Sequence, residues 1–245
     1  MLSKNQIKLI KSLGLKKIRQ QFGQFTVEGI KGVKEFLNSD YELENLYTTK
    51  MIFDAPQERV TEITETELRK ITALKNPNTA LAIFKIPKKV EIKYSGLIVA
   101  LDAVRDPGNL GTIIRLCDWY GIKNLVCSLN TVDCYNSKVV QATMGSLTRI
   151  HITYLDLDDF ITSSKMDVLG TFMTGENMYS THLPNEGIIV LGNEANGISE
   201  TVASAVNRKI TIPQFGSNKS TESLNVANAA AIVLSEFMRR TIIER

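Results

Sequence analysis

Apolar residues in the second half of the chain fall into short runs bounded by turn residues, and most runs are followed by a stretch of helical period. Strands are expected over 97–101, 125–128, 150–153, 168–172, 188–191 and 209–212, with helices between most of them and a long one over 223–243. Such alternation implies an α/β fold, a mostly parallel sheet with helices on both faces. In the last helix Leu224, Ala227, Ala231, Leu234 and Met238 form one apolar stripe, and Val226, Ala230, Val233 and Phe237 an adjacent one. A stripe this wide suits a core helix, or one that also meets a second copy of the chain.

The first half reads as a smaller α/β domain. Residues 3–22 place Ile7, Ile10 and Leu13 at helical spacing among lysines, with Gly14 as an interruption. Strands are expected over 25–27, 46–49, 60–63 and 80–86, and a helix over 29–37, where Ile30, Val33 and Leu37 share a face. Thr64 is placed to cap a helix over 65–71, with Glu67 completing a capping box. A proline and two lysines follow the strand at 80–86, so a linker is expected over 86–89. The domains expected are therefore 1–93 and 94–245.

Charge separates the two halves. Residues 1–93 carry 17 Lys+Arg against 11 Asp+Glu, and the remainder 12 against 15. The first 20 residues hold six basic side chains and no acidic one. A basic front half suits a polyanion such as a nucleic acid, or a solvated helical surface. The 43% hydrophobic and 22% charged residues are ordinary for a globular protein. No apolar run reaches membrane length and the N-terminus lacks a secretory pattern, so a cytoplasmic location without a membrane partner is expected. Cys117, Cys127 and Cys134 make no disulfide framework, and His151 and His182 neighbour no cysteine pair; no metal is expected. Two histidines also make a Ser-His-Asp hydrolase a poor fit. No G-x-G-x-x-G follows the first strand of the second half, which argues against a dinucleotide fold.

Candidate chemistry lies in three stretches. In the first, 101–121, Asp106-Pro107-Gly108-Asn109 has turn chemistry, and a helix is expected from about Leu110 with Arg115 in its second turn. Asn109 alone would be a turn asparagine and Arg115 a surface cation. The second, 191–199, holds Gly192-x-Glu194-x-x-Gly197, where Glu194 could orient Arg115 or cap a helix starting near Ile198. The third, 212–234, holds Ser223-Leu224-Asn225 before an alanine-rich helix, with Ser223 a plausible cap.

These three blocks, in this order and at these spacings, resemble the SpoU (TrmH-like) family of RNA ribose 2′-O-methyltransferases. The motifs are Asp106-Pro107-x-Asn109-x-Gly111 with Arg115, then Gly192-x-Glu194-x-x-Gly197, then Ser223-Leu224-Asn225. The segment 25–37 is similar to that family's N-terminal substrate-binding domain, which is L30e-like. The resemblance implies a SPOUT fold with a C-terminal trefoil knot, formed by the segments around Gly192, Ile212 and Ser223. It implies S-adenosyl-L-methionine as cofactor, held near Thr171, Gly192, Ile212 and Leu224. It implies catalytic roles for Arg115, Asn109, Glu194, Ser223 and Asn225, with Glu194 orienting either Arg115 or the ribose. A homodimer is implied, with Arg115 of one protomer near the cofactor of the other. The separate N-terminal domain points to ribosomal RNA, with tRNA as the alternative and a non-catalytic RNA-binding protein as a further one. Many members have an arginine where Gln141 stands and a serine where Thr143 stands, a departure that bears on RNA contacts.

Overall fold

The computed structural model describes residues 1–88, 92, 95–216 and 223–243. The chain forms two compact units, Met1–Lys89 with Asp133–Thr148, and Val90–Val132 with Arg149–Arg245.

The first unit opens with two helices, α1 (Lys4–Ser12) and α2 (Lys16–Phe22), separated at Gly14 as its interruption predicts. There follow β1 (Gln24–Glu28), α3 (Ile30–Leu37), β2 (Leu43–Thr48), β3 (Val60–Glu62), α4 (Glu65–Ile71) and β4 (Ala80–Lys85). The sheet order is β1-β4-β2-β3, with β4 antiparallel to both neighbours and β2 parallel to β3. Alternation along β4 sends Leu81 and Ile83 to one face, where they meet Ile10, Leu13, Leu68 and Ile71. Phe84 turns to the other face and packs its ring 5.2 Å from that of Phe36.

The second unit carries the alternating half: β5 (Leu97–Leu101), α5 (Pro107–Trp119), β6 (Asn124–Ser128), then α6 (Ser137–Thr143), which lies in the first unit. After it come β7 (His151–Leu155), α7 (Leu157–Ser163), β8 (Val168–Asn177), β9 (Gly187–Leu191), α8 (Glu200–Ser204), β10 (Arg208–Thr211) and α9 (Val226–Ile243). The sheet has six strands in the order β10-β8-β9-β5-β6-β7, every neighbouring pair parallel. All residues of β5, β6 and β9 are buried, as a parallel sheet covered on both faces requires. On one face Ile98, Ala100, Val126 and Val190 pack against α7 and α8 through Phe160, Ile161 and Val202. Helices α5 and α9 pack against each other.

Three expectations need correction. Helix α5 begins at Pro107, not near Leu110: Asp106 caps it by accepting the Asn109 N–H at 2.8 Å, and proline suits the first helical position. Asp-Pro therefore opens a helix here and does not make a free turn. Helix α9 begins at Val226, not Ser223, because Asn225 is its cap, accepting the Ala227 and Asn228 N–H groups at 3.0 and 3.3 Å. Strand β8 runs on to Asn177, five residues past its expected end, and its pairing with β10 shifts register between Lys209 and Ile210. The path that would close the expected knot runs through 217–222, and so lies outside the described residues, as does Lys89 of the expected linker.

Segment Asp133–Thr148 packs into the first unit through a charge and a ring. Arg19 is buried; it donates to the carbonyls of Leu13 and Gly14 at 2.8 and 2.9 Å and pairs with Asp133 at 2.5 Å. The Tyr135 ring lies 4.6 Å from Phe25, and its hydroxyl meets that of Tyr41 at 3.4 Å. Burial pushes both phenols up, Tyr41 to about 12, so both stay protonated at physiological pH.

The capping box at Thr64 forms as expected, and Glu67 does more than cap. Its carboxylate accepts the Thr64 N–H at 3.0 Å and the Leu2 N–H at 2.7 Å, tying the N-terminus to α4. These bonds, the Thr64 N–H foremost, lower Glu67 from 4.5 to about 2. A depressed carboxyl stabilises the fold above its unfolded pKa and loses that contribution as pH falls through the folded value. The stability difference between wild type and Glu67→Gln should therefore be constant above pH ~5 and shrink between about 4.5 and 2. Denaturant titrations across that window check it; a difference independent of pH would contradict it.

Candidate functional site

The carboxyl end of β5 starts the site. Asp102 is buried, donates its N–H to the Leu191 carbonyl at 2.9 Å, and accepts both the N–H and the hydroxyl of Ser199 at 2.8 and 2.6 Å. Ala103 follows with a φ of 54°, strained for a residue with a Cβ, and is held by the Ser128 hydroxyl on its N–H at 2.8 Å. Its carbonyl accepts from the Asn193 amide at 2.7 Å. Asp102 and Ala103 thus hold both ends of the 193–199 loop.

Asn109, in the first turn of α5, joins the three sequence blocks. Its amide N–H donates to the Glu194 carboxylate, and its carbonyl oxygen accepts from the Asn225 amide at 3.0 Å. The direction of this relay is determined from one end. Two helix N–H groups must donate to the Asn225 oxygen, which leaves the Asn225 nitrogen to donate to the Asn109 oxygen. The Asn109 nitrogen is then left for Glu194, which as a carboxylate only accepts.

Gly192 is required by its surroundings. A Cβ there would lie 2.2 Å from the Gly197 carbonyl carbon and 2.3 Å from the Ile198 nitrogen. The 193–197 loop is closed by paired bonds between Asn193 and Gly197 at 2.9 and 2.8 Å, with Gly197 at a φ of 68°. Only a residue without a side chain lets the strand end pass this loop.

Between these loops lies a cavity of about 720 Å3. Its walls are the 171–174 stretch of β8, the 192–197 loop, the end of β10 with the 212–215 segment after it, Ser223 and Leu224, and the start of α9. Leu191, Ile198, Ile210 and Val233 make its apolar floor, and Phe215, 85% exposed, stands at its rim. Buried Met178 also lines it, and Arg240 steadies that stretch by donating to the Met178 and Thr181 carbonyls at 3.0 and 2.6 Å. Glu236 orients Arg240, and hydrogen bonds from Arg239 first and Arg240 second lower its carboxyl from 4.5 to about 2.

All four expected cofactor positions, Thr171, Gly192, Ile212 and Leu224, border this one cavity, as do Glu194 and Ser223. The Thr171 hydroxyl is taken up by the Val190 carbonyl at 3.1 Å. Asn109 and Asn225 lie behind Glu194 in the relay. Glu194 does not cap a helix: α8 starts at Glu200 after Ser199. Arg115 stands apart. It lies in the third turn of α5, on an exposed stripe with Thr112 and Trp119, with no side-chain partner among the described residues. Six residues from Asn109 is about 240° around a helix, so the two side chains leave on different faces. Asp102, Asn193 and Ser199 were not foreseen; an Asp directly after an apolar strand was their only sequence signal. Among the described residues no group of His, Cys, Asp and Glu could hold a metal ion.

Comparison with known proteins gives two family matches. Residues 96–235 match the SpoU rRNA Methylase family and residues 4–82 the MRM3-like substrate binding domain. The 23S rRNA (guanosine(2553)-2′-O)-methyltransferase RlmP of Bacillus subtilis (strain 168) is 29% identical over 242 residues, covering 95% of this chain and 96% of the relative. A TrmH-family protein from Porphyromonas gingivalis has a solved structure with a TM-score of 0.90 at 39% identity, over 98% of this chain and 99% of that one. The AdoMet-bound rRNA methyltransferase of Sinorhizobium meliloti reaches 0.86 at 30% identity, over 98% and 96%.

The two loop glycines separate packing from backbone strain. Gly197→Ala meets open space and should cost only the left-handed backbone penalty, about 1–2 kcal/mol. Gly192→Ala collides with backbone and should cost more, with a correspondingly larger drop in Tm. Equal losses in thermal melts would contradict this account of the loop.

Proposed function

The chain belongs to the SpoU rRNA methylase family, and from that membership we propose that it transfers a methyl group from S-adenosylmethionine to a ribose 2′-hydroxyl of ribosomal RNA. One observation carries the reading: three distant sequence blocks converge, through the Asn109 relay, on a single cavity of ligand size. Residues 94–245 are assigned to methyl transfer and 1–93 to RNA recognition, supported by the two family matches and by the basic excess of the first half. The cytoplasm, where such RNA is made and assembled, is the assigned location.

The cavity suits the cofactor. About 720 Å3 lies within the usual range of small-molecule sites. Leu191, Ile198, Ile210 and Ile212 offer an apolar slot for a flat base, and the loops at 192–197 and 212–215 bring main-chain donors and acceptors to its edge. When bound, S-adenosylmethionine supplies a methyl group already activated on a sulfonium, so the protein must chiefly align it with the hydroxyl.

Each assigned catalytic residue then has a physical task. Asn225 and Asn109 fix Glu194 against the cavity wall, where it can accept a hydrogen bond from a ribose hydroxyl. Ser223, exposed beside Leu224 and bordering the same cavity, can bond the same sugar. Arg115 acts on the phosphate next to the target ribose and on the developing alkoxide; a guanidinium holds its protons too firmly to serve readily as a base. Because Arg115 lies on an outward stripe and does not border the cavity of its own chain, it serves the cavity of a second copy in a homodimer. The 84% exposed Trp119, one turn further along that stripe, supports α5 as part of the contact.

Arg115→Ala should lower kcat at least 100-fold while leaving S-adenosylmethionine affinity within twofold. The assay uses methyl-labelled cofactor and ribosomal RNA from cells lacking the gene, with nucleosides separated after digestion. Label in a 2′-O-methyl nucleoside, lost in the variant, is the expected result; an unaffected variant would make Arg115 an ordinary surface cation.

A further inference from the structure

The carboxyl ends of β5, β6 and β7 and the loop after β9 enclose a second cleft, of about 480 Å3. Asn193, Asn196 and Gly197 border it on one side and the cofactor cavity on the other, so one thin loop separates the two spaces. In open parallel sheets ligands collect outside the carboxyl ends where the strand order reverses. Here that place is β5, flanked by β6 and β7 on one side and by the later strand β9 on the other.

The cleft's polar groups divide into engaged and open ones. Asp102 is taken by Ser199, and Asp156 caps α7 by accepting the Asp158 and Asp159 N–H groups at 3.1 and 3.3 Å. Arg105, Asn130, Asp158 and Asn196 also line it, their side chains in no hydrogen bond or ion pair among the described residues, and Leu129 beside them is 61% exposed. A phosphate entering here would face three carboxylates against one guanidinium. A neutral group bearing both a carbonyl and an amino function is matched instead. Arg105 donates to the carbonyl, Asp158 accepts from the amino group, and the two amides serve either role. Guanine and cytosine carry both functions on one edge; adenine offers Arg105 a single ring-nitrogen lone pair in place of a carbonyl, and uracil offers Asp158 a single ring N–H in place of an amino group, so each is the poorer match.

We propose that this cleft binds an unpaired guanine or cytosine of the RNA substrate, with its face against Leu129. The inference rests on the RNA methyltransferase reading and names a base-reading subsite for it. RNA sequence is generally read on bases splayed out of a helix, and a pocket one loop away from the methyl donor suits such a base.

Two measurements test it. Isotope-labelled full-length protein is titrated with millimolar free guanosine, cytidine, adenosine and uridine, following the backbone amides of Leu129, Asn130 and Asn196 by NMR. Guanosine and cytidine should shift these signals, with adenosine and uridine at least fivefold weaker. Arg105→Ala and Asp158→Ala should abolish the response without changing Tm or S-adenosylmethionine affinity. In methyl transfer to ribosomal RNA, the same two variants should raise the KM for RNA at least tenfold. No shift, equal shifts with all four nucleosides, or an unchanged KM would overturn the proposal. Absence of any methyl transfer by wild type would instead sink the enzyme reading, and the nucleoside titration would still decide what the cleft binds.

Discussion

The hydrogen-bond relay Asn225–Asn109–Glu194 is the constraint on which the catalytic half depends. The three residues it joins sit at the margins of regular structure: Asn109 in the first turn of α5, Glu194 in the loop after β9, and Asn225 capping α9. A loop so placed must satisfy its polar groups by other means. Here the N-terminus of α9 supplies the donors that orient Asn225, the cap of α5 positions Asn109, and the relay ends on a carboxylate that can only accept. Helix capping and site geometry are thus one set of bonds. Behind the relay, Asp102 and Ala103 hold the ends of the same loop, and Gly192 provides the clearance that lets it close.

That loop is a shared wall. The apolar cavity on one side, with main-chain edges, suits a cofactor built on an adenosine. The polar cleft on the other side carries unmatched donors and acceptors. A wall pinned at several points keeps two such spaces in register, and methyl transfer demands this, because a small misplacement of either reactant costs rate steeply. The N-terminal unit is ordered by different means. An aromatic cluster around Phe25, Phe36 and Phe84 and the buried Arg19–Asp133 pair secure the segment 133–148 within it.

Much of this was legible in the residues. Alternating apolar runs predicted the parallel sheet, and Thr64 with Glu67 predicted a capping box that forms as expected. The three blocks pointed to Glu194, Gly192 and Ser223, which do border one cavity. The misreadings came where one local signal serves two structures. Asp106-Pro107 fits a turn and a helix start equally, and the choice moved Asn109 from a loop into a helical turn and Arg115 from the second turn to the third. Ser223 and Asn225 are both good caps, and the accepting bonds chose Asn225. The Arg19–Asp133 pair joins residues 114 apart, and no local pattern announces such a contact.

The central claim is that the cavity formed by the three blocks holds S-adenosylmethionine. The most direct test is a crystal structure of the protein soaked with that cofactor. The account predicts its adenosine in the cavity, the base against Ile212 and Leu224 and the main chain of Gly192 at its edge. Density for the cofactor elsewhere on the chain, with this cavity closed by its own side chains, would contradict it.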